Sequence, residues 1–252
     1  MSSIAITGAS SGIGKAVAEV YAQKGYDIFL GARREEKLRE LSGKLKDLGA
    51  KSVHTHRLDV MSDESVESWA TVVFKIFPKL DILVNNAGLV LGTDTIETGK
   101  IDEWSTIFDT NVMGVLRLCR KFVPKFREQS HGHVVMIGSI SGHHVYEGGG
   151  PYCATKHSVK VLAQTLRLEL NGTGVRVSSV DPGMVETEFS EVRFHGDRDR
   201  AKQVYKGFTP LSPLDVAEAV AFATSRPAHV NVDEIIIMPT DQASVSKVHR
   251  KN

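Results

Sequence analysis

The chain has 252 residues, of which 41% are hydrophobic and 24% charged, proportions typical of a globular protein. The 31 basic and 30 acidic residues nearly cancel, so the charge gives no sign of a nucleic-acid or membrane partner. Cys119 and Cys153 are isolated, which argues against a disulfide framework. With no signal-peptide pattern and no apolar run long enough to cross a bilayer, we expect a cytoplasmic protein.

Short apolar runs alternate with amphipathic segments along the chain. Strands are predicted at 3–7, 27–32, 52–59, 81–87, 133–139, 175–182 and 234–239. Helices are predicted at 14–24, 35–48, 63–77, 102–128, 152–170 and 213–225, with Asp63 and Asp102 as N-caps and Pro213 in a first turn. This alternation predicts one α/β domain over residues 1–252, a doubly wound parallel sheet between two helix layers. The polar stretch at about 186–212 is too long for a plain connection, so we expect a substrate loop there, either a lid or a binding loop.

A glycine-rich turn follows the first strand. In "TGASSGIG" the glycines Gly8, Gly12 and Gly14 have the spacing G-x-x-x-G-x-G and open a helix. Glycine permits close backbone approach, and free N–H groups at a helix N-terminus attract a pyrophosphate. The position of the turn therefore favours a dinucleotide over an ordinary loop.

The end of the second strand indicates which dinucleotide is bound. An NAD site usually carries an acidic residue there, whereas this chain reads "GARREE", with Arg33 and Arg34 after Ala32. Two guanidinium groups would attract a 2′-phosphate, which predicts NADP(H). The alternative is that both arginines begin a solvated helix and pair with Glu35 or Glu36.

Tyr152 and Lys156 lie four residues apart in "GPYCATK". At this spacing they share one helical face, either as an ordinary surface pair or as a tyrosine activated by a lysine. A free tyrosine has a pKa of about 10 and exchanges protons poorly at neutral pH. A nearby cation favours the phenolate, so the second interpretation predicts a general acid and base.

In order and spacing, six motifs resemble the short-chain dehydrogenase/reductase family along almost the whole chain. They are "TGASSGIG", "NNAG" at 85–88, Asn111 in "DTNVMG", Ser139 in "IGSISG", Tyr152 with Lys156, and "DPGMVET" at 181–187. The resemblance implies a Rossmann-like oxidoreductase and a catalytic tetrad of Asn111, Ser139, Tyr152 and Lys156. It also implies cofactor contacts from Gly8, Ser10, Ser11, Gly12, Ile13, Gly14, Arg33, Arg34, Asp59, Val60, Asn86, Ala87, Gly88, Tyr152, Lys156, Pro182, Gly183, Val185 and Thr187.

The resemblance assigns roles within the tetrad. Tyr152 would be the general acid in reduction and the general base in oxidation, and Ser139 would donate to the carbonyl oxygen. Lys156 would hold the nicotinamide ribose, and Asn111 would support a water relay. The structural alternatives are that Ser139 caps a strand end and that Asn111 satisfies backbone groups within its helix.

The C-terminal third resembles one branch of the family, the NADP-dependent 3-hydroxy acid dehydrogenases, through "TEFS-x-VRF-x-G", "AHVN" and "IMPT-x-QAS". Members act on serine, L-allo-threonine and related 3-hydroxy acids or reduce malonic semialdehyde. Arg193 is the candidate for binding a substrate carboxylate, with a salt bridge as its alternative, and Tyr146 and Glu147 are expected at the same mouth. Glu147 sits awkwardly beside an anion site, so sulfoacetaldehyde is a second candidate substrate. Larger 3-oxo substrates or sugars, or a non-catalytic NADP-sensing role, are the remaining alternatives.

Two further expectations concern assembly and metals. In the family, the helices at 102–128 and 152–170 build an intersubunit bundle, so we expect a homotetramer. The predicted contact residues are Val112, Val115, Leu116, Leu118, Val159, Leu162, Leu166 and Leu170. The histidine pairs 54/56, 131/133 and 143/144 lack convincing ligand spacing, so no metal site is predicted. Cys153 has no evident base and is expected to pack.

Overall fold

The computed structural model describes residues 2–251, and a parallel sheet forms its centre. The strands are β1 (Ser3–Thr7), β2 (Asp27–Ala32), β3 (Ser52–Arg57), β4 (Ile82–Asn85), β5 (Gly132–Ile137), β6 (Val175–Pro182) and β7 (Glu234–Ile237). They pair in the order β3-β2-β1-β4-β5-β6-β7, and every pairing is parallel. The prediction of a doubly wound, Rossmann-like domain is therefore confirmed.

Helices cover both faces of the sheet. They are α1 (Gly12–Gln23), α2 (Glu35–Asp47), α3 (Asp63–Ile76), α4 (Ile101–Phe108), α5 (Gly114–Glu128), α6 (Gly150–Glu169), α7 (Phe189–Arg193), α8 (Arg198–Gln203) and α9 (Pro213–Thr224). One buried cluster lies under α1, α2 and α9, and a second lies under α3, α5 and α6. Burial on both faces explains why the strands lack polar alternation. Within residues 2–251, no helix has the length and apolar character that crossing a membrane requires.

Several predicted strands are too long at their carboxyl ends. Predicted strands 52–59, 81–87 and 133–139 end in the structure at Arg57, Asn85 and Ile137. The residues beyond these ends leave the sheet and turn into loops at its carboxyl edge. The apolar pattern continues past the last ladder hydrogen bond, so it cannot reveal this boundary.

Two predicted N-caps are wrong, and the predicted first-turn proline is confirmed. The N-cap of α3 is Ser62, whose hydroxyl accepts from the Ser65 N–H, in place of the predicted Asp63. The α4 N-cap is Lys100 and not Asp102. Both aspartates lie in the first turns of their helices, where negative charge is also favourable. Pro213 opens α9 as predicted, after a capping box formed by Ser212 and Asp215.

The predicted helix 102–128 is interrupted at its centre. A π-helical segment, Asp109–Met113, joins α4 to α5, and Asn111 lies within it. Such a segment accommodates an extra residue in the helix and is often found at functional sites. The sequence did not indicate it because one inserted residue hardly alters the apolar period.

Five of the eight residues expected at a subunit interface are core residues of the single chain. Val115, Leu118, Val159, Leu166 and Leu170 are all buried against the sheet. That part of the expectation is wrong, since the apolar excess of these helices serves the intrachain core.

Candidate functional site

A cavity of about 380 Å³ opens at the carboxyl edge of the sheet. It lies where β1 is flanked by β2 on one side and β4 on the other, the point at which open α/β sheets bind ligands. The structure brings together most of the predicted cofactor residues in its wall, namely Gly8, Ser10, Ser11, Gly12, Ile13, Arg33, Arg34, Asp59, Val60, Asn86, Ala87, Gly88, Tyr152, Lys156, Pro182, Gly183, Val185 and Thr187.

The glycine turn has the backbone that its sequence predicts. Gly8 and Gly12 have φ angles of 65° and 54°, which other residues adopt at a cost. Gly14 lies behind the turn and outside the cavity wall. A Cβ atom on Gly14 would come within 2.5 Å of the Asn86 Nδ2 atom and 2.7 Å of the Gly8 carbonyl oxygen. The third glycine therefore provides close packing.

Asn86, directly after β4, connects the glycine turn to the end of that strand. Its amide donates to the carbonyl oxygens of Thr7 and Gly8 at 2.8 and 3.2 Å. The hydroxyl of Thr7 accepts from the backbone N–H groups of Asn86 and Ala87, both at 3.0 Å. Thr7 was not predicted as a site residue, because its contribution depends on a contact between segments almost eighty residues apart.

Arg34 joins three parts of the site. Its guanidinium donates to the hydroxyls of Ser10 and Ser11 in the glycine turn and, at 2.9 Å, to the carboxylate of Glu188. Lys37 also reaches Glu188, at 3.1 Å. The alternative in which Arg34 pairs with Glu35 or Glu36 is therefore wrong. Arg33 is exposed at the rim of the cavity.

Tyr152 and Lys156 are a buried pair. Only 9% of Tyr152 and 8% of Lys156 is exposed, and both line the cavity. The Lys156 ammonium lies 5.8 Å from the centre of the Tyr152 ring and donates to the Ile137 carbonyl oxygen at 2.8 Å. The interpretation of this spacing as a surface pair is wrong.

The ionisation of the pair is dominated by burial. Burial raises the pKa of the Tyr152 phenol, and the Ser139 hydroxyl opposes that rise. Burial also lowers the pKa of Lys156 to about 8, and the negative charge of Asp181 opposes that fall. The sequence predicts a lowered tyrosine pKa, and the protein alone does not provide it. Lys156 is mostly cationic at neutral pH. Its charge favours the Tyr152 phenolate, but the desolvation of that phenolate opposes this effect.

Ser139 and Asn111 have different surroundings. Ser139 lines the cavity, and its hydroxyl accepts from the Ser141 N–H at 3.0 Å, capping the 3₁₀ turn Ile140–Gly142. The Asn111 side chain exchanges hydrogen bonds of 2.8 and 2.9 Å with the Leu89 backbone and donates to Thr155. Asn111 therefore satisfies backbone outside its own helix, and it lies behind the cavity wall.

The predicted substrate residues Tyr146 and Arg193 also lie outside that wall. Arg193 is clamped to the loop after β4: its Nε donates to the Gly92 carbonyl oxygen at 3.2 Å, and its own carbonyl accepts from the Gly92 N–H. Its guanidinium lies 5.4 Å from the centre of the Tyr146 ring. Within residues 2–251 no carboxylate lies within 4.0 Å of it, so an intrachain salt bridge is wrong. Glu147 is exposed.

The predicted lid folds into two short helices and closes one side of the cavity. Glu188, Phe189 and Val192 line the cavity, and the Phe189 ring lies 5.8 Å from that of Tyr152. None of the three was predicted as a site residue. The apolar spacing of Phe189 and Val192, three residues apart, is the signal that indicates a helical wall.

Cys153 is next to Tyr152 but serves a structural role. It is 1% exposed, and burial raises the pKa of its thiol. A protonated thiol is a poor nucleophile. Packing is therefore its role, as predicted.

Comparison with known proteins gives a consistent result over the full length. Residues 2–197 match the short chain dehydrogenase family. The chain is 40% identical over 249 residues to the NADP-dependent 3-hydroxy acid dehydrogenase of Schizosaccharomyces pombe, covering 98% of this chain and 96% of that protein. It is 40% identical over 241 residues to sulfoacetaldehyde reductase 2 of Chromohalobacter salexigens, covering 95% of each.

A solved structure agrees with these relatives. The closed form of a serine dehydrogenase complexed with NADP⁺ superposes with a TM-score of 0.92 at 37% identity, covering 99% of this chain and 100% of that one. The family match, the two relatives and this solved structure therefore agree. The chain belongs to the short-chain dehydrogenase/reductase family.

Proposed function

We propose that this enzyme is an NADP(H)-dependent oxidoreductase that interconverts a small 3-hydroxy acid and its carbonyl form. The observation that carries the proposal is one cavity lined by two chemically distinct groups. Arg33 and Arg34 supply positive charge in its wall, and the buried Tyr152–Lys156 pair lines the same cavity. The names of the relatives, an NADP-dependent 3-hydroxy acid dehydrogenase and a serine dehydrogenase with NADP⁺, support the same reaction.

The residues present fit a phosphorylated dinucleotide. The turn from Gly8 to Gly12 presents backbone at the start of α1, where a pyrophosphate is stabilised by free N–H groups. Arg34, oriented by Ser10 and Ser11, would hold the 2′-phosphate together with Arg33. No acidic residue occupies the end of β2, where Ala32 stands. When bound, NADP(H) supplies the hydride acceptor or donor.

Tyr152 is proposed to move the proton. In oxidation its phenolate removes the proton of the substrate hydroxyl, and in reduction its phenol returns that proton to the carbonyl oxygen. Ser139, on the same cavity wall, donates to that oxygen where negative charge develops. Lys156 supplies the cation that favours the phenolate and would hold the nicotinamide ribose.

Asn111 is proposed to act from behind the wall. Its hydrogen bonds to Leu89 and Thr155 fix the π-helical segment against the loop after β4 and against α6. This arrangement supports a positioning role, and the predicted water relay through Asn111 stays a prediction.

The substrate acid is proposed to interact with Arg193. Its guanidinium is placed between Tyr146 and Phe194 and has no carboxylate partner within 4.0 Å in the described chain. Its positive charge also opposes the rise in the pKa of Tyr152 that burial causes. A sulfonate aldehyde is a second candidate substrate, favoured by the 40% identity to a sulfoacetaldehyde reductase.

A panel of substrates tests the proposal. NADPH oxidation is followed with malonic semialdehyde, sulfoacetaldehyde and a neutral aldehyde of similar size, and NADP⁺ reduction with L-serine and L-allo-threonine. We expect the two anionic aldehydes to have kcat/KM at least about tenfold above the neutral one, as one charged contact provides. Equal rates for all three aldehydes would contradict an acid-binding site.

Assembly and location extend the proposal. Phe108, Met113, Leu116, Val161 and Leu168 are apolar side chains that remain between 39% and 80% exposed on α4–α6 and the π-helical segment. They support a homotetramer through these helices, and light scattering that gives the mass of one chain would contradict it. Two free cysteines fit a cytoplasmic, reducing location.

A further inference from the structure

A buried polar network lies at the carboxyl ends of β5 and β6, and its residues are outside the cavity wall. At its centre the Asp181 carboxylate, whose side chain is 2% exposed, accepts a 2.6 Å hydrogen bond from Nε2 of His143. The other carboxylate oxygen accepts from the Ser179 hydroxyl. An aspartate is almost never buried this completely unless its charge is balanced.

The tautomer of His143 follows from its two partners. The Lys160 ammonium, a donor only, lies 2.8 Å from Nδ1 of His143, so Nδ1 must accept. Nε2 then carries the ring proton and donates it to Asp181. This hydrogen-bond chain from Lys160 through a neutral histidine stabilises the ionised form of Asp181.

Asp181 is also close to the catalytic pair. The carboxylate packs on Gly138, where an added Cβ atom would come within 1.9 Å of Oδ1. The residue before that glycine, Ile137, is the one whose carbonyl oxygen accepts from the Lys156 ammonium at 2.8 Å. Asp181 and Lys156 therefore contact the same peptide unit, Ile137–Gly138, at the end of β5. Both residues are buried, so water is largely excluded from this region.

We propose that Asp181 is a positioning residue that keeps Lys156 cationic from behind the cavity, and that Ser179, His143 and Lys160 keep Asp181 ionised for this task. The inference rests on the proposed function of Lys156. In a low-dielectric interior a nearby opposite charge stabilises an ammonium that burial disfavours. The negative charge of Asp181 accordingly raises the pKa of Lys156 against the larger lowering by burial.

The other charged groups around the network do not reverse the effect of Asp181 on Lys156. Glu234 on β7 lies 3.6 Å from Nε2 of His143 and 3.5 Å from Lys160, with 29% of its side chain exposed. His143, Asp181 and Glu234 have the residue types of a metal site, with donor atoms within 4.8 Å of one another. The ammonium of Lys160 already supplies the positive charge there, in contact with two of the three.

The direct test is the titration of Lys156 itself. In EDTA-treated protein labelled with ¹⁵N-lysine, the Nζ signal of Lys156 is followed against pH, with a Lys156→Arg sample for assignment. In Asp181→Asn, an isosteric change, we expect the Lys156 titration to move to lower pH by about one pH unit or more. His143→Leu should move it in the same direction by less. Asp233→Asn, an exposed aspartate paired with Arg167, is the matched control and should leave it in place.

Turnover gives a second, separable result. If Lys156 acts as proposed, the alkaline limb of kcat for carbonyl reduction in Asp181→Asn moves down in pH with the Nζ titration, and acidification recovers part of the lost rate. A merely structural defect would lower kcat equally at all pH values. An Nζ titration that is the same in wild type, Asp181→Asn and His143→Leu overturns the inference. If the titration moves while turnover does not follow it, the electrostatic link stands and the proposed role of Lys156 fails.

Discussion

Glu188, at the start of α7, holds the guanidinium of Arg34 at 2.9 Å across the mouth of the cavity. The lid and the rim that is proposed to hold the 2′-phosphate are thus joined by an ion pair. Both side chains are around two-fifths exposed, so the pair is adjustable and contributes little to the stability of the fold. If Arg34 holds the 2′-phosphate as proposed, this ion pair links cofactor choice to the lid.

Replacing Arg33 and Arg34 by alanine should change cofactor preference. Two charge-assisted contacts to the 2′-phosphate are lost, so NADPH binding should weaken about 10- to 100-fold more than NADH binding. Fluorescence titration of both cofactors measures this. Arg39→Ala, in the helix α2 that follows Arg34, is the control: its side chain is 74% exposed, and its loss should alter neither affinity. Equal weakening of both cofactors would refute the NADP(H) assignment.

Glu188→Gln should act in the opposite direction. Its carboxylate competes with the 2′-phosphate for Arg34, so the neutral amide should tighten NADP⁺ binding by about two- to fivefold, the range of an exposed ion pair. NAD⁺ binding should stay the same, and the difference should shrink in high salt. Glu191→Gln, in α7 three residues after Glu188 and paired with the exposed Arg198, is the matched control. Weaker NADP⁺ binding by Glu188→Gln would contradict this prediction and show that the Glu188–Arg34 ion pair helps to retain the cofactor.

Substitution of Arg193 separates substrate binding from lid packing. Arg193→Ala should raise KM for an acidic substrate about tenfold or more and leave NADPH binding intact, because a charged partner of the acid is removed. Arg193→Lys keeps the charge but loses the fork and the contact of Nε with Gly92, so it should recover only part of the loss. If the efficiency of turnover falls equally for neutral and acidic substrates in both variants, Arg193 does not bind the acid and only positions the lid.

Much of the fold could be predicted, since buried parallel strands are continuous apolar runs. The glycine turn and the Tyr152–Lys156 spacing are local patterns, and both lie where expected. The sequence does not indicate the contact of Arg34 with Glu188, because the two residues are 154 positions apart. The π-helical segment around Asn111 and the true ends of the strands depend on single hydrogen bonds, to which apolar periodicity is insensitive.

The ionisation of the site is another property that motifs do not reveal. The i, i+4 pattern predicts a lysine that lowers the tyrosine pKa, whereas burial raises the pKa of Tyr152 within the protein alone. Desolvation depends on every atom that packs around a group, and so on the whole fold. The network behind Lys156 likewise draws His143, Lys160 and Asp181 from three separate segments.

The rate should depend on pH through Lys156. Burial lowers its pKa from 10.5 to about 8, so the ammonium loses its proton as pH rises through about 8. Carbonyl reduction that relies on this cation should therefore fall above about pH 8 and be unaffected by Lys156 well below it. In Lys156→Arg the guanidinium stays charged, so a slower enzyme without that limb is expected. If the rate of Lys156→Arg also falls above about pH 8, the fall must come from the titration of another group.

The most direct test of the proposed reaction compares wild type with Tyr152→Phe. Initial rates of NADP⁺ reduction by L-serine and L-allo-threonine are measured for both proteins, with the NADP⁺ dissociation constants determined alongside. Loss of the phenol removes the proposed general base while the ring still packs on Phe189. We predict a fall in kcat of about 10²- to 10⁴-fold with NADP⁺ affinity unchanged. A Tyr152→Phe enzyme that binds NADP⁺ and turns over at the wild-type rate would contradict the account.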